Sequence, residues 1–205
     1  MDGRRGLVMT RVDGNDLLTA LARNPFLLGT VARVLAVRQA ELHDIVAPPG
    51  LPALSDALRD RITVAGPLPD DLRRRSLQLL DTLDGGDRLC HGDLHPGNLV
   101  GPPRAPTVID WAGATRGPPV ADVARTQLLL REGVVPDEAP PMIRMLAPRL
   151  RGLLAARHLN LTRRRRPIDV HLFERWTVVW AAARLAEDVE PEHPAMLRRV
   201  RAWSA

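Results

Sequence analysis

The sequence has no lysine and no tyrosine, so all 29 of its basic residues are arginine. Aromatic residues make up only 3% of the chain, which excludes the stacking platform of a single-strand nucleic-acid binder. A formal net charge of +5 is too modest to suggest a nucleic-acid partner. The lone cysteine, Cys90, excludes an internal disulfide and any cysteine-cluster metal site, and it reads as a small buried apolar residue. No uninterrupted apolar run approaches the ~20 residues of a membrane helix. Met1 leads into Asp2-Gly3-Arg4-Arg5 without an apolar leader segment. A cytoplasmic protein with no membrane or nucleic-acid partner is expected. What remains is 45% apolar residues in a chain of 205, enough for one domain with a real core.

Along the chain the apolar spacing is mostly helical. Gly6–Val12 is a short β-prone run ending at Asp13-Gly14. Asn15 or Asp13 can cap a helix through Leu17–Leu21 that stops before Pro25. A helical stripe follows from Phe26 to about Val46, with His43 read by itself as a surface histidine. Further helices are expected over Pro52–Ile62, Pro69–Leu83, Val120–Arg131, Ala139–Leu161, Pro167–Asp188 and Pro194–Ala202. Gly113, Gly117 and Pro118-Pro119 predict a loop after Trp111. Arg163–Arg166 reads as a solvated loop and Glu187–Glu192 as a solvated helix terminus. Trp176, Val179, Trp180 and Ala183 recur at helical spacing and are core candidates.

One stretch interrupts this pattern. His91-Gly92-Asp93-Leu94-His95-Pro96-Gly97-Asn98, followed by Val108-Ile109-Asp110-Trp111, concentrates carboxylates, an amide and imidazoles in irregular backbone. Gly92, Pro96 and Gly97 exclude a helix through it. Arg88–Cys90, Leu99-Val100 and Thr107–Ile109 read as brief strands flanking it. An Asp followed five residues later by an Asn, with a second Asp on the next strand, is what phosphoryl transfer requires. The first accepts the proton of an attacking hydroxyl, and the other two hold a metal against nucleotide phosphates. The bland alternative is a turn aspartate bonding its own backbone. Asp93-Leu94-His95 also has the D-x-H form of dinuclear metallophosphoesterases, but their further metal ligands have no counterpart here.

These residues resemble the aminoglycoside phosphotransferase and choline-kinase-like family, which shares the protein-kinase-like fold. The match rests on His91 to Asn98 and Ile109-Asp110-Trp111. The resemblance implies a mainly α (α+β) fold, a kinase-like C-terminal lobe carrying a short catalytic β-hairpin. It implies Asp93 as base, Asn98 and Asp110 as Mg2+ ligands, ATP as co-substrate and a small-molecule hydroxyl as acceptor. Aminoglycosides, choline, homoserine, sugars and macrolides all remain open. The hinge that bonds adenine would fall near Thr10 and Val12. His91 and Asp122 would support the catalytic loop, while His95 either packs that loop or sits near the phosphates. Acids near the C-terminus, here Glu187 and its neighbours, can bind a cationic acceptor in this family. The family's small nucleotide lobe, with its lysine, has no counterpart. Residues 1–14 would be its last strand and hinge, and 15–205 the large lobe. The chain is therefore expected to be a fragment, a natural lobe acting alone or with a separately encoded N-lobe, or a non-catalytic relic that keeps the acceptor cleft.

Overall fold

A computed structural model describes residues 10–133 and 141–203. The described part of the Gly6–Val12 run, Thr10 to Val12, forms no strand, because no strand among the described residues pairs with it; residues 1–9 lie outside the described residues. Helix α1 (Leu17–Arg23) is capped by Asp16 rather than Asn15 or Asp13. The Asp16 carboxylate accepts the Thr19 N–H at 2.8 Å and the Thr19 hydroxyl at 2.7 Å. The helix ends at Asn24, where Pro25 forbids continuation. Helix α2 (Leu28–Asp44) buries Val31, Leu35, Gln39 and His43 at a spacing of four, so one stripe starts apolar and finishes polar. The expectation of a surface histidine fails at His43, which closes that buried stripe.

Helices α3 (Leu54–Val64) and α4 (Asp70–Asp81) form the next layer. Between them Arg73 donates to the carbonyls of Ile62, Thr63, Ala65 and Leu68 at 2.6–3.0 Å, satisfying the C-terminal carbonyls of α3 and the turn beyond. Two antiparallel strand pairs follow instead of one hairpin. Strand β2 (Leu99–Val100) pairs with β3 (Thr107–Val108) as a hairpin. Strand β1 (Arg88–Cys90) pairs with β4 (Thr115–Gly117), in the stretch read as loop. A three-residue Thr-Arg-Gly strand before two prolines is too short to show a period of its own. It exists because β1 offers it a partner.

Helix α5 (Pro119–Glu132) lies between two apolar clusters. Its Ala124 and Leu128 join Leu58, Ile62, Trp176 and Trp180 in one. Its Leu130 joins Leu17, Val31, Leu35, Leu94 and Leu99 in the other. Helix α6 (Pro141–Arg165), α7 (Val170–Arg184) and α8 (His193–Ala202) complete the helical lobe. Arg163–Arg165 form the last turn of α6 and not a loop, though exposed as expected. Arginine is a good helix former, and its cation suits a helix C-terminus. The acids after α7 are not simply solvated. Glu192 is buried against Arg184 at 2.7 Å, and Glu187 pairs with Arg125 at 2.8 Å. No helix among the described residues is long and apolar enough to cross a membrane.

Candidate active site

Strand β1 delivers the chain at Cys90 into buried His91. The His91 Nδ1 accepts the Asp93 N–H at 3.3 Å, which leaves Nε2 to donate to the Ile109 carbonyl at 3.0 Å. Its ring lies 4.8 Å from that of Trp111. Gly92 follows with φ of +78°, and a Cβ there would stand 2.3 Å from the Gly113 carbonyl oxygen. Only glycine fits this crossing of the loop over the chain beyond Asp110.

Asp93 is one-third exposed and faces outward from this scaffold. Its Oδ1 accepts from Arg125 Nη2 at 3.0 Å, and the His95 Nε2 stands 3.7 Å from its Oδ2. Asn98 donates from Nδ2 to the Asp93 carbonyl at 2.9 Å and to Asp93 Oδ2 at 3.3 Å. The backbone carbonyl of Asn98 accepts the Ile109 N–H at 3.0 Å, placing Asp110 one residue beyond. Asp110 is exposed, left-handed at φ 61° and ψ 68°, and its carboxylate caps nothing in the following turn. A non-glycine residue held there is the kind of backbone strain that collects at functional sites. His95 turns its Nδ1 inward to accept the Gly97 N–H at 3.1 Å, which tightens the Pro96–Asn98 turn.

Helix α5 holds this loop from beneath. The Asp122 Oδ1 accepts the Gly92 N–H at 2.8 Å. Arg125 Nε donates to the Gly92 carbonyl at 3.1 Å, and Thr126 Oγ1 to the Leu94 carbonyl at 3.0 Å. Asp122 is in turn bonded by His43 at 2.9 Å and Gln39 at 3.0 Å, both from α2. Burial alone would push the carboxyls of Asp93 and Asp122 up, yet both are held below the ordinary range. At Asp93 the neighbouring His95 imidazole and the charge of Arg125 outweigh burial; at Asp122 the bond and charge of His43 do so. Behind them burial, opposed by the charge of Asp122 and aided by that of His43, pushes His158 down to about 4, so it stays neutral against Gln127. Burial also pushes the Cys90 thiol up, so it is unreactive.

Thr10 and Val12 lie in irregular backbone, the first exposed and the second half-buried. The adjoining segment is joined to the β2–β3 hairpin by the Gly101 N–H to Asn15 carbonyl bond of 3.1 Å. Among the described residues, the one group of His, Cys and carboxylate ligands at metal-binding spacing is His43, Cys90 and Asp122. There the His43 and Asp122 atoms already bond one another. Asp110 is exposed and Asn98 is buried; their side-chain oxygens are hard donors, the kind that magnesium or calcium takes. Sequence reasoning missed Gln39, Arg125, Thr126 and the burial of His43. Its available signal was an Asp-x-x-Arg-Thr spacing that puts three polar groups on one face of an otherwise apolar helix.

A family model described as the phosphotransferase enzyme family matches residues 2–168. Among solved structures, the amicoumacin kinase hAmiN in complex with AMP-PNP, Ca2+ and Ami is similar at 16% identity and a TM-score of 0.57. The match covers 94% of this chain and 62% of that one, a likeness of fold. The macrolide 2'-phosphotransferase MphH from Brachybacterium faecium, solved as the apoenzyme, is similar at 20% identity and a TM-score of 0.42. That match covers 95% of this chain and 69% of MphH. No curated protein matches the chain significantly.

Proposed function

The chain belongs to the phosphotransferase enzyme family, and from that premise we propose that it transfers the γ-phosphate of ATP to a hydroxyl of a small molecule. Asp93 is the base that orients the hydroxyl and takes up its proton. Asn98 and Asp110 would hold Mg2+, which when bound neutralises charge on the nucleotide phosphates. Thr10 and Val12 offer backbone to the adenine edge, and His91, His95 and Asp122 keep the loop in shape. The observation that carries this reading is the double engagement of Asn98. Its amide holds Asp93 at 2.9 Å and its carbonyl holds Ile109 at 3.0 Å, so base and metal-binding acid hang from one residue. An ATP analogue and a divalent cation accompany the amicoumacin kinase, which supports the same pairing here.

A carboxylate held below its ordinary range is a weak base. Phosphoryl transfer tolerates this, because its transition state is loose and asks mainly for positioning and charge neutralisation. Residues 1–14 are proposed as hinge and 15–205 as the catalytic lobe, in the cytoplasm. The lysine-free sequence leaves phosphate neutralisation to arginine or to a polypeptide outside these residues, such as a separately encoded N-lobe. The test is label transfer from γ-labelled ATP to a panel of hydroxylated small molecules, with the chain alone and with a family N-lobe added. The expected result is Mg2+-dependent transfer, weak for the chain alone, that falls about 10²–10⁴-fold in Asp93→Ala. Transfer indifferent to that substitution refutes the assignment. Metal-dependent phosphoester hydrolysis without nucleotide would favour a phosphoesterase instead.

A further inference from the structure

Arg125 is 2% exposed, yet its guanidinium touches Asp93, whose side chain is one-third exposed. Its Nε donates to the Gly92 carbonyl at 3.1 Å and its Nη2 to Asp93 Oδ1 at 3.0 Å. These bonds leave from one edge of a planar fork, so together they fix both the backbone and the carboxylate of adjacent residues. The same Nη2 reaches Glu187 Oε1 at 2.8 Å, in the short turn Leu185–Glu187 after α7. The guanidinium carbon lies over the Trp180 ring, 5.1 Å from its centroid. Glu187 is itself braced: Arg61 stands 3.6 Å from its Oε1, and Arg184 donates to its Oε2. Arg184 also forks onto buried Glu192 at 2.7 and 3.0 Å.

We propose that Arg125 is the positioning residue for Asp93 and that Glu187 is its outer anchor, a clamp joining the catalytic loop to the segment after α7. This rests on the reading of Asp93 as base. The clamp has two consequences. The base has one side-chain conformation before any acceptor arrives, since Arg125 and Asn98 grip opposite oxygens. The Glu187 carboxylate, shared among Arg61, Arg125 and Arg184, is engaged within the protein. A cationic acceptor would have to compete with those guanidiniums for it, so acceptor recognition through Glu187 is disfavoured. Guanidiniums and carboxylates are costly to take out of water unless they are paired in good geometry, so an incidental arrangement of this kind is disfavoured.

The test uses the full chain and nuclear magnetic resonance, and needs no turnover. In the unaltered protein the Arg125 Nη2 protons should be separate, slowly exchanging resonances, and Asp93 three-bond couplings should report one rotamer. Averaged Arg125 resonances overturn the clamp without any variant. Arg125→Lys keeps the charge but cannot span both partners, so Asp93 should sample several rotamers in a chain that remains folded. Arg125→Met should do the same; a fixed Asp93 rotamer in either folded variant overturns the proposal. In the transfer assay Arg125→Lys should lower turnover about 10–100-fold, the scale of a misplaced catalytic group, with the nucleotide KM unchanged. A frozen Arg125 and a fixed Asp93 in a protein that transfers no phosphate, even with an N-lobe supplied, leave the clamp standing and refute the phosphotransfer reading.

Discussion

Replacing Asp122 by alanine tests how much of the loop's order is supplied from below. The Asp122 carboxylate, 1% exposed, accepts from the Gly92 N–H, from His43 and from Gln39 at 2.8, 2.9 and 3.0 Å. Truncation takes this acceptor from all three in a buried space. Gln39 keeps a second acceptor in Thr126 at 2.9 Å, but the Gly92 N–H and His43 have no substitute there. A buried donor left unpaired costs about 1–3 kcal/mol, and breaking a buried charged partnership about 3–5 kcal/mol. We therefore expect Asp122→Ala to lose about 3–5 kcal/mol, a large part of the ~5–15 kcal/mol that a domain has in total. Asp122→Asn keeps an oxygen for Gly92 but turns an amide toward the Gln39 amide. About 1–2 kcal/mol should be lost there. Denaturant unfolding followed by the fluorescence of buried Trp176 and Trp180 measures both, as a shift of midpoint at constant slope. The folded-state carboxyl of Asp122 is held below its ordinary value. Its contribution is thus present above the unfolded pKa of about 3.9 and fades as pH falls through the folded value. The gap between wild type and Asp122→Asn should accordingly narrow below about pH 4. An alanine variant within about 1 kcal/mol of wild type, or a gap that widens in acid, would refute the reasoning.

Gly92→Ala should cost at least ~2 kcal/mol in thermal or denaturant unfolding, since φ is +78° and the new Cβ meets the Gly113 carbonyl at 2.3 Å. Asp110→Gly should leave stability within about 0.5 kcal/mol of wild type or above it. Relief at φ 61° offsets the extra freedom of the unfolded glycine. The same substitution should abolish Mn2+ binding measured by paramagnetic relaxation; a marked loss of stability would mean that the carboxylate serves the fold instead. Arg73→Ala should lower stability by about 2–3 kcal/mol in calorimetry, because four carbonyls at the end of α3 and beyond lose their donor.

Legibility divides by range along the chain. The helices were readable because their apolar spacing is local, and the loop because Gly92, Asp93, Asn98 and Asp110 sit within one short span. Cys90, Trp176 and Trp180 were placed in the core on the same local grounds and are buried. What was hidden depends on partners far away in sequence. His43 looks like a surface histidine until α5 brings Asp122 to 2.9 Å, and Glu187 looks solvated until Arg125 reaches it at 2.8 Å. Strand β4 had too few residues to announce itself and needed β1 opposite. Arg163–Arg165 illustrate a competition between helix propensity and charge repulsion, and propensity prevailed.

A buried irregular loop explains why the polar residues of α5 escaped a reading based on apolar periodicity. Such a loop has no ladder to satisfy its backbone, so side chains must do it. The Gly92 N–H goes to Asp122, the Gly92 carbonyl to Arg125 and the Leu94 carbonyl to Thr126. The Asp93 N–H goes to His91, its carbonyl to Asn98, and the His95 carbonyl to the Asn98 N–H. Positions 122, 125 and 126 are neighbours on one helical face, so one helix can meet consecutive polar groups of a chain crossing it. A helix serving that purpose must carry polar residues on a buried face, which removes the contrast that marks an amphipathic helix. In a helical lobe, an acid, a base and a hydroxyl on one face of a buried helix therefore point to an irregular segment packed against it.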